Sequence, residues 1–381
     1  MSTSLSHASS LLNVQADFSL VDDTYLLNHS VGRPLVGLQS AFNDSFFAPW
    51  QDSGREPWGQ WLGVINQFTH ALSQLFNGRA QDFCPQVNLS SALTKLVMSL
   101  PRLQQHCVVL MSESDFPSMG FALKKALPAS CELRFIPKHL DITDVNVWDA
   151  HLGDDVDLVF ISHAYSNTGQ QAPLADIIPI ARARNCLSLI DVAQSAGVIA
   201  LDLTALEPDF MIGSSVKWLC SGPGAAYLWV HPSRLSECQP KDVGWFSHDN
   251  PFEFDIHDFR YHDTALRFWG GTPSIAPYAL AGFSIDYFAK LGAEKLRQHN
   301  QALIDFTLAE LGEFFASPLE QAKRSGTMVL HFGERQQQVM AAIAAANISV
   351  DERVFGARVS PHIYNTQQDM MHFIQVVKAA Y

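Results

Sequence analysis

Between Cys107 and Val230 six short apolar β-type runs alternate with stretches of helical pattern: Cys107–Met111, Leu133–Ile136, Val156–Ser162, Leu187–Asp191, Phe210–Gly213 and Ala225–Val230. Repeats of strand, helix and strand require crossover connections, which leave the strands parallel and the helices covering the sheet. The chain is therefore expected to be α/β, with a large, mostly parallel-sheet domain. A helix over Ala175–Asn185 carries Arg182 and Arg184 where its C-terminal end favours cations, and an earlier helix over Ser90–Leu100 meets a stop at Pro101. A Pro-, Gly- and aromatic-rich stretch from Val243 to Pro277 breaks the pattern. Beyond it, a strand over Met328–Phe332, a helix over Gln336–Ala346, an extended stretch over Ala357–Tyr364 and a closing helix from Gln367 predict a smaller α+β domain. The expected division is 1–45, an N-terminal segment packing with the small domain; 46–275, the large domain; and 276–381, the small C-terminal domain.

Composition narrows the partners. A chain of 381 residues, 47% of them hydrophobic, can bury a substantial core without staples. With 25 basic against 38 acidic residues the net charge is −13, and the cations are scattered. That opposes binding to nucleic acid or to anionic lipid, both of which rest on clustered cations, and points to a small-molecule partner. The six cysteines lie far apart with no CxxC or zinc spacing, so reduced, mostly buried thiols in a cytoplasmic protein are expected. Met1–Asp17 has neither a basic n-region nor a sustained apolar run, and no stretch of about 18 apolar residues occurs. Neither secretion nor a membrane span is expected.

In open parallel sheets, chemistry collects just past the carboxyl ends of the strands. Three ends are unusual here. LSLIDVAQSAG puts Asp191 at the end of a buried strand with Gln194 on the loop; DFMIGSSVKWLCSGPG puts Lys217 past another; DLVFISHAYSNTGQ puts His163, Ser166 and Asn167 past a third. A lysine among apolar neighbours has a depressed pKa and can form a Schiff base with a carbonyl, and a buried aspartate can keep a pyridinium nitrogen protonated. Together they describe a site for pyridoxal 5′-phosphate (PLP). Asn88-Leu89-Ser90-Ser91 opens a helix whose free N–H groups suit a phosphate, and Phe116, in SDFPS, offers an aromatic face for the ring. The histidines and aspartates of SHDNPFEFDIHDFRYHD fit no closed metal-ligand spacing and read as a polar loop or interface segment. SGPG lacks the third glycine of a dinucleotide fingerprint, and there is no GxSxG elbow.

These pieces, in order with YLLNHSVGRP, NLSSALTKLVMSL, VGWFSHD, GGTPS and ARVSPHIYN, resemble the fold-type I PLP enzymes of the aminotransferase class V superfamily, and the kynureninases most. The resemblance covers nearly the whole chain. It implies the PLP-dependent transferase fold, Lys217 as the Schiff-base lysine, Asp191 as the partner of the pyridine nitrogen, Phe116 stacked on the ring, and Leu89 and Ser90 around the phosphate. It further implies His163 and Gln194 near the ring, Trp245 and Thr272 reaching the phosphate of a neighbouring subunit in a homodimer, and Asn28 and Arg358 at the substrate, Arg358 gripping its α-carboxylate. The activity implied is Cβ–Cγ hydrolytic cleavage of a kynurenine-type amino acid, to which the aromatics Trp245, Phe246, Phe268 and Trp269 would be suited. Three positions depart from the kynureninase pattern. Gln194 replaces a histidine, Val216 a tyrosine and Met119 an aspartate, which keeps an aminotransferase or C–S lyase, and a catalytically silent homologue, as alternatives. Ser349–Arg358 holds no cysteine to carry a persulfide, which disfavours desulfuration.

Overall fold

A computed structural model describes residues 11–381; the first ten residues of the expected N-terminal segment lie outside the described range. The large sheet has seven strands: β1 (Phe83–Gln86), β2 (Val108–Ser112), β3 (Glu132–Ile136), β4 (Leu158–Ser162), β5 (Leu187–Asp191), β6 (Phe210–Ser214) and β7 (Ala226–Val230). Their order is β1-β7-β6-β5-β4-β2-β3, and only β7 runs against its neighbours. All six expected runs are strands. The seventh, β1, has the sequence FCPQ, whose proline and brevity hide it from pattern reading.

Alternation along the strands builds two cores, one on each face. Leu158 and Phe160 of β4 and Leu189 of β5 face helices α2 (Leu89–Ser99) and α3 (Pro117–Ala126) through Leu93, Leu96 and Leu123. Val159, Ile161 and Ile190 point the other way, into a core shared with α1 (Trp58–Leu75) and α4 (Leu174–Ala183) through Phe68, Leu72 and Ile178. Each such side chain removed from water stabilises the fold by roughly 1.5–3 kcal/mol.

The C-terminal part follows α5 (Ala276–Leu291) and α6 (Ala293–Leu311). It holds a small antiparallel sheet of β8 (Met328–Leu330), β9 (Asp351–Arg353) and β10 (Gly356–Val359) in the order β9-β10-β8, covered by α7 (Gln336–Ala345) and α8 (Gln367–Ala380). Its own core runs from Leu303 to Val377. The change of core falls inside α6, between Leu296 and Leu303, because α5 packs on α1: Gly282 lets the α5 backbone come close to Phe68. The N-terminal segment straddles both cores. Thr24–Tyr25 pairs in parallel with Ile348–Ser349 and Leu26 joins the C-terminal core, whereas Phe18, Leu35 and Leu38 join the large one.

One expectation is corrected. Cys84, Cys186, Cys220 and Cys238 are free and buried, but Cys107 and Cys131 are disulfide-bonded. The pair precedes β2 and β3, whose register sets Val108 against Glu132 and so brings the two cysteines side by side, with Cα atoms 4.6 Å apart. Among the described residues no helix is long and apolar enough to cross a membrane.

Candidate active site

Parallel strands end on one rim, and here β1, β2, β4, β5 and β6 each lead into a side chain singled out in the sequence. The register sets Ser162, the last residue of β4, against Asp191, the last of β5, and Asp191 against Ile212 of β6. β6 then runs into the turn that carries Lys217. The result is a cavity of about 210 Å³ lined by Leu89, Ser90, Phe116, Asp191, Gln194 and Lys217. That is the room of about seven waters.

The electrostatics follow from burial. Asp191 is buried; its Oδ1 accepts the N–H of Ala193 at 2.8 Å. Burial raises its pKa, opposed by that N–H and by the charge of Lys217. Burial in turn lowers the pKa of the Lys217 amine, with Asp191 pulling the other way and Arg358 adding to the lowering. Among the described residues neither group has an ion-pair partner, and the Lys217 amine makes no hydrogen bond. A buried carboxylate and a buried amine left unpaired across a cavity are costly unless something bound there supplies partners.

The walls match a flat, phosphorylated ring. An α-helix leaves its first N–H groups without intrahelical acceptors. At α2 the Asn88 side chain accepts from Ser91 N at 2.8 Å, which leaves the Leu89 and Ser90 N–H groups at the cavity, at the positive end of the helix dipole. Phe116 is largely exposed at the cavity mouth, held ahead of α3 by Pro117, and can cover a ring face. These residues fit PLP: an amine for its aldehyde, a carboxylate for its ring nitrogen, a helix end for its phosphate.

Other expected residues lie elsewhere. His163 is buried outside the cavity lining, its Nδ1 without a partner among the described residues, and burial with Arg297 pushes its pKa down to about 3, so the ring is neutral. Asn28 is fully buried, donating to Ser360 O at 2.7 Å and accepting from the Tyr364 hydroxyl. Arg358 is buried in a two-pronged contact with Asp351. Trp245 packs edge-on against Trp58, and Thr272 is exposed on the adjoining loop; within one chain neither lines the Lys217 cavity. Phe246 and Phe268 are buried, so the aromatic-rich stretch supplies core, and the walls around Lys217 are instead serines, Asn167 and Tyr165. Tyr165 escaped the sequence reading; its only signal was its place two residues past His163 on the same strand-end loop.

His248, Asp249 and Glu253 do come together in space, but Arg260 holds both carboxylates and the His248 ring nitrogens meet the carbonyls of Asn250 and Asp258. That loop satisfies itself without an ion.

Comparison with known proteins agrees with this geometry. The family model described as Aminotransferase class-V matches residues 88–377. A kynureninase of Deinococcus radiodurans is 28% identical over 304 residues, covering 77% of this chain and 72% of its own. An uncharacterized aminotransferase of Bacillus subtilis, YcbU, is 24% identical over 297 residues, 77% of each chain. A solved structure of a C-DES mutant with glycine covalently linked to its PLP cofactor superposes with a TM-score of 0.85 at 19% identity, covering 95% of this chain and 98% of that one.

Proposed function

From the premise that the chain belongs to the aminotransferase class-V family and is a PLP-dependent enzyme, we propose that it acts on a free α-amino acid, and that its reaction is kynureninase-type hydrolytic cleavage between Cβ and Cγ. The observation that carries the reading is the pair Lys217 and Asp191, which face one cavity without ion-pair partners among the described residues. When bound, PLP supplies an aldehyde that takes up amines and a ring that accepts electrons. In this reading Asp191 faces the ring nitrogen and keeps its proton in place, while the Leu89 and Ser90 N–H groups hold the phosphate. Phe116 covers a ring face, and Gln194 sits beside the ring. The Lys217 amine, less basic than an exposed lysine, first holds the cofactor and then takes the proton from the substrate Cα. Arg358 binds the α-carboxylate and Asn28 braces the segment beside it.

The similarity to a kynureninase and the ordered series of motifs support cleavage. Transamination is the second reading, favoured by Met119, which lines the cavity where the resemblance leads to expect an aspartate. A homodimer belongs to the proposal. Phe252, Phe254, Ile256 and Phe259 expose apolar surface beside Trp245, which an interface would cover.

The test is the visible spectrum of the purified protein with PLP, and its products. The wild type is expected to show a band that borohydride fixes onto Lys217 and that Lys217→Ala lacks. L-Kynurenine should then give anthranilate and alanine, consuming water and needing no keto acid. Turnover that demands a keto acid replaces cleavage with transamination, and absence of the band removes Lys217 from its role.

A further inference from the structure

We infer that Asp351 and His29 are positioning residues for Arg358, holding one edge of its guanidinium so that the other is presented to the carboxylate of the amino-acid substrate. The inference rests on the reading above that Arg358 binds that carboxylate. It begins in the backbone. β9 and β10 form a hairpin closed by the two-residue loop Val354-Phe355, and its register sets Asp351 directly opposite Arg358. The turn depends on Gly356, at φ +128°, where a Cβ would meet Leu330 O at 2.1 Å.

Across that pair, Arg358 Nε donates to Asp351 Oδ1 at 2.8 Å and Nη2 donates to Oδ2. The remaining nitrogen, Nη1, has no hydrogen-bond partner among the described residues. A guanidinium is a rigid fork, so a carboxylate seated on its Nε edge fixes its plane and leaves the Nη1 end with a defined direction. Asp351 is itself held. His29 Nε2 lies 2.9 Å from Oδ1, and His29 Nδ1 lies 2.6 Å from Ser360 Oγ. Burial would raise the Asp351 pKa, but hydrogen bonds from His29 and Arg358 outweigh it and hold the carboxyl far below the usual range, charged at any working pH.

The network reaches the cavity through the same histidine. The backbone carbonyl of His29 accepts from Gln194 Nε2 at 3.0 Å, and Gln194 lines the Lys217 cavity. Arg358 is close enough for its charge to lower the pKa of Lys217 and of His29. Asp351, His29, Arg358 and Gln194 thus form one connected frame along the edge of the site.

Aminooxyacetate and methoxyamine test this without knowledge of the substrate. Both carry the amine that displaces a lysine from PLP, and only the first carries a carboxylate. The ratio of their rates of bleaching the visible band of the PLP-loaded protein measures carboxylate recognition. The wild type is expected to prefer aminooxyacetate, and Arg358→Gln to lose the preference. Asp351→Asn should lower it by about tenfold, as loss of a charge-assisted contact does, with the methoxyamine rate unchanged. Asp351→Glu should restore part of it. If Arg358→Gln abolishes the preference while Asp351→Asn and Asp351→Glu leave it intact or increase it, the positioning role is overturned and the reading of Arg358 stands. If Arg358→Gln leaves the preference untouched, both fall.

Discussion

Asp115 and Asp191 are both buried carboxylates at strand ends, and their surroundings set them different tasks. Asp191 faces the Lys217 cavity, whereas Asp115 is not part of that cavity's lining and borders a separate one beside α3, with Oδ2 accepting Ser112 N at 2.7 Å. Burial pushes its pKa up to about 7, with the Ser162 hydroxyl and the Ser112 N–H pulling down and the charge of Asp191 pushing up. A raised carboxyl pKa means the folded chain holds a proton that the unfolded chain has released. Stability therefore falls as pH rises from about 4 to about 7, by about 4 kcal/mol for three pKa units. Asp115→Asn, uncharged throughout, should remove that slope: the variant gains on the wild type between pH 5 and 8 in urea unfolding. Parallel pH profiles for the two proteins would show that Asp115 ionises freely. Legibility in the sequence divides along the same line. Lys217 and Asp191 stood out because a charge ending an apolar strand needs a reason, whereas Tyr165 and Asp351 carry no such mark. What matters about Asp351 is its cross-strand partner, and that is set by a hairpin register that neither strand announces.

Among elements, the N-terminal segment around Asn28–Gly32 does the most for its length. It runs between the Lys217 turn and the small sheet: Gly32 N donates to Val216 O at 3.0 Å, and His29 N donates to Ser360 Oγ at 3.0 Å. A Cβ on Gly32 would sit 2.2 Å from Lys217 O and 2.4 Å from Cys220 Sγ, both in buried surroundings that cannot yield cheaply. Gly32→Ala is accordingly expected to push the turn carrying Lys217 out of place and to shorten retention of PLP during dialysis several-fold. Gly63, exposed inside α1 with nothing among the described residues within 4 Å of its missing Cβ, supplies the contrast. Gly63→Ala should raise stability by about 0.5–1 kcal/mol through helix propensity alone, and leave PLP retention as it was. Equal retention in the two variants would show that close packing at Gly32 does not hold the lysine. The strands around these glycines were legible as short continuous apolar runs, because the sheet is buried on both faces, and the helices through a period of 3.6. The seat of the segment was not, since a two-residue pairing such as Thr24–Tyr25 with Ile348–Ser349 leaves no period to read.

At the scale of the whole chain, the same fold that strands carboxylates also strands histidines, with the opposite sign. Burial pushes His163 and His362 down to about 3 each; His163 is further lowered by Arg297, and His362 by His299 against the opposing pull of Trp218 O. Their folded pKa lies below the unfolded value near 6.5, so the stability they contribute is complete above that pH and is lost as pH falls through it. Two such groups give a slope of about 2.7 kcal/mol per pH unit on the acid side, until the folded pKa is reached. The net charge of −13 acts in the other direction, since acidification relieves self-repulsion. Salt separates the two: surface repulsion is screened over about 8–10 Å, while a buried imidazole gains no such shielding. Followed from pH 7.5 to 5 in 0.5 M salt, in the Asp115→Asn background that removes the opposing slope, unfolding should therefore show the acid-side loss at nearly full strength, and His163→Gln should remove about half of it. An acid limb that disappears in salt, or that His163→Gln leaves unchanged, would assign the loss to surface charge. Below about pH 6.5 the two histidines outweigh the opposing slope of Asp115, and from there to about 7 Asp115 acts alone, so the stability maximum is expected between pH 6 and 7.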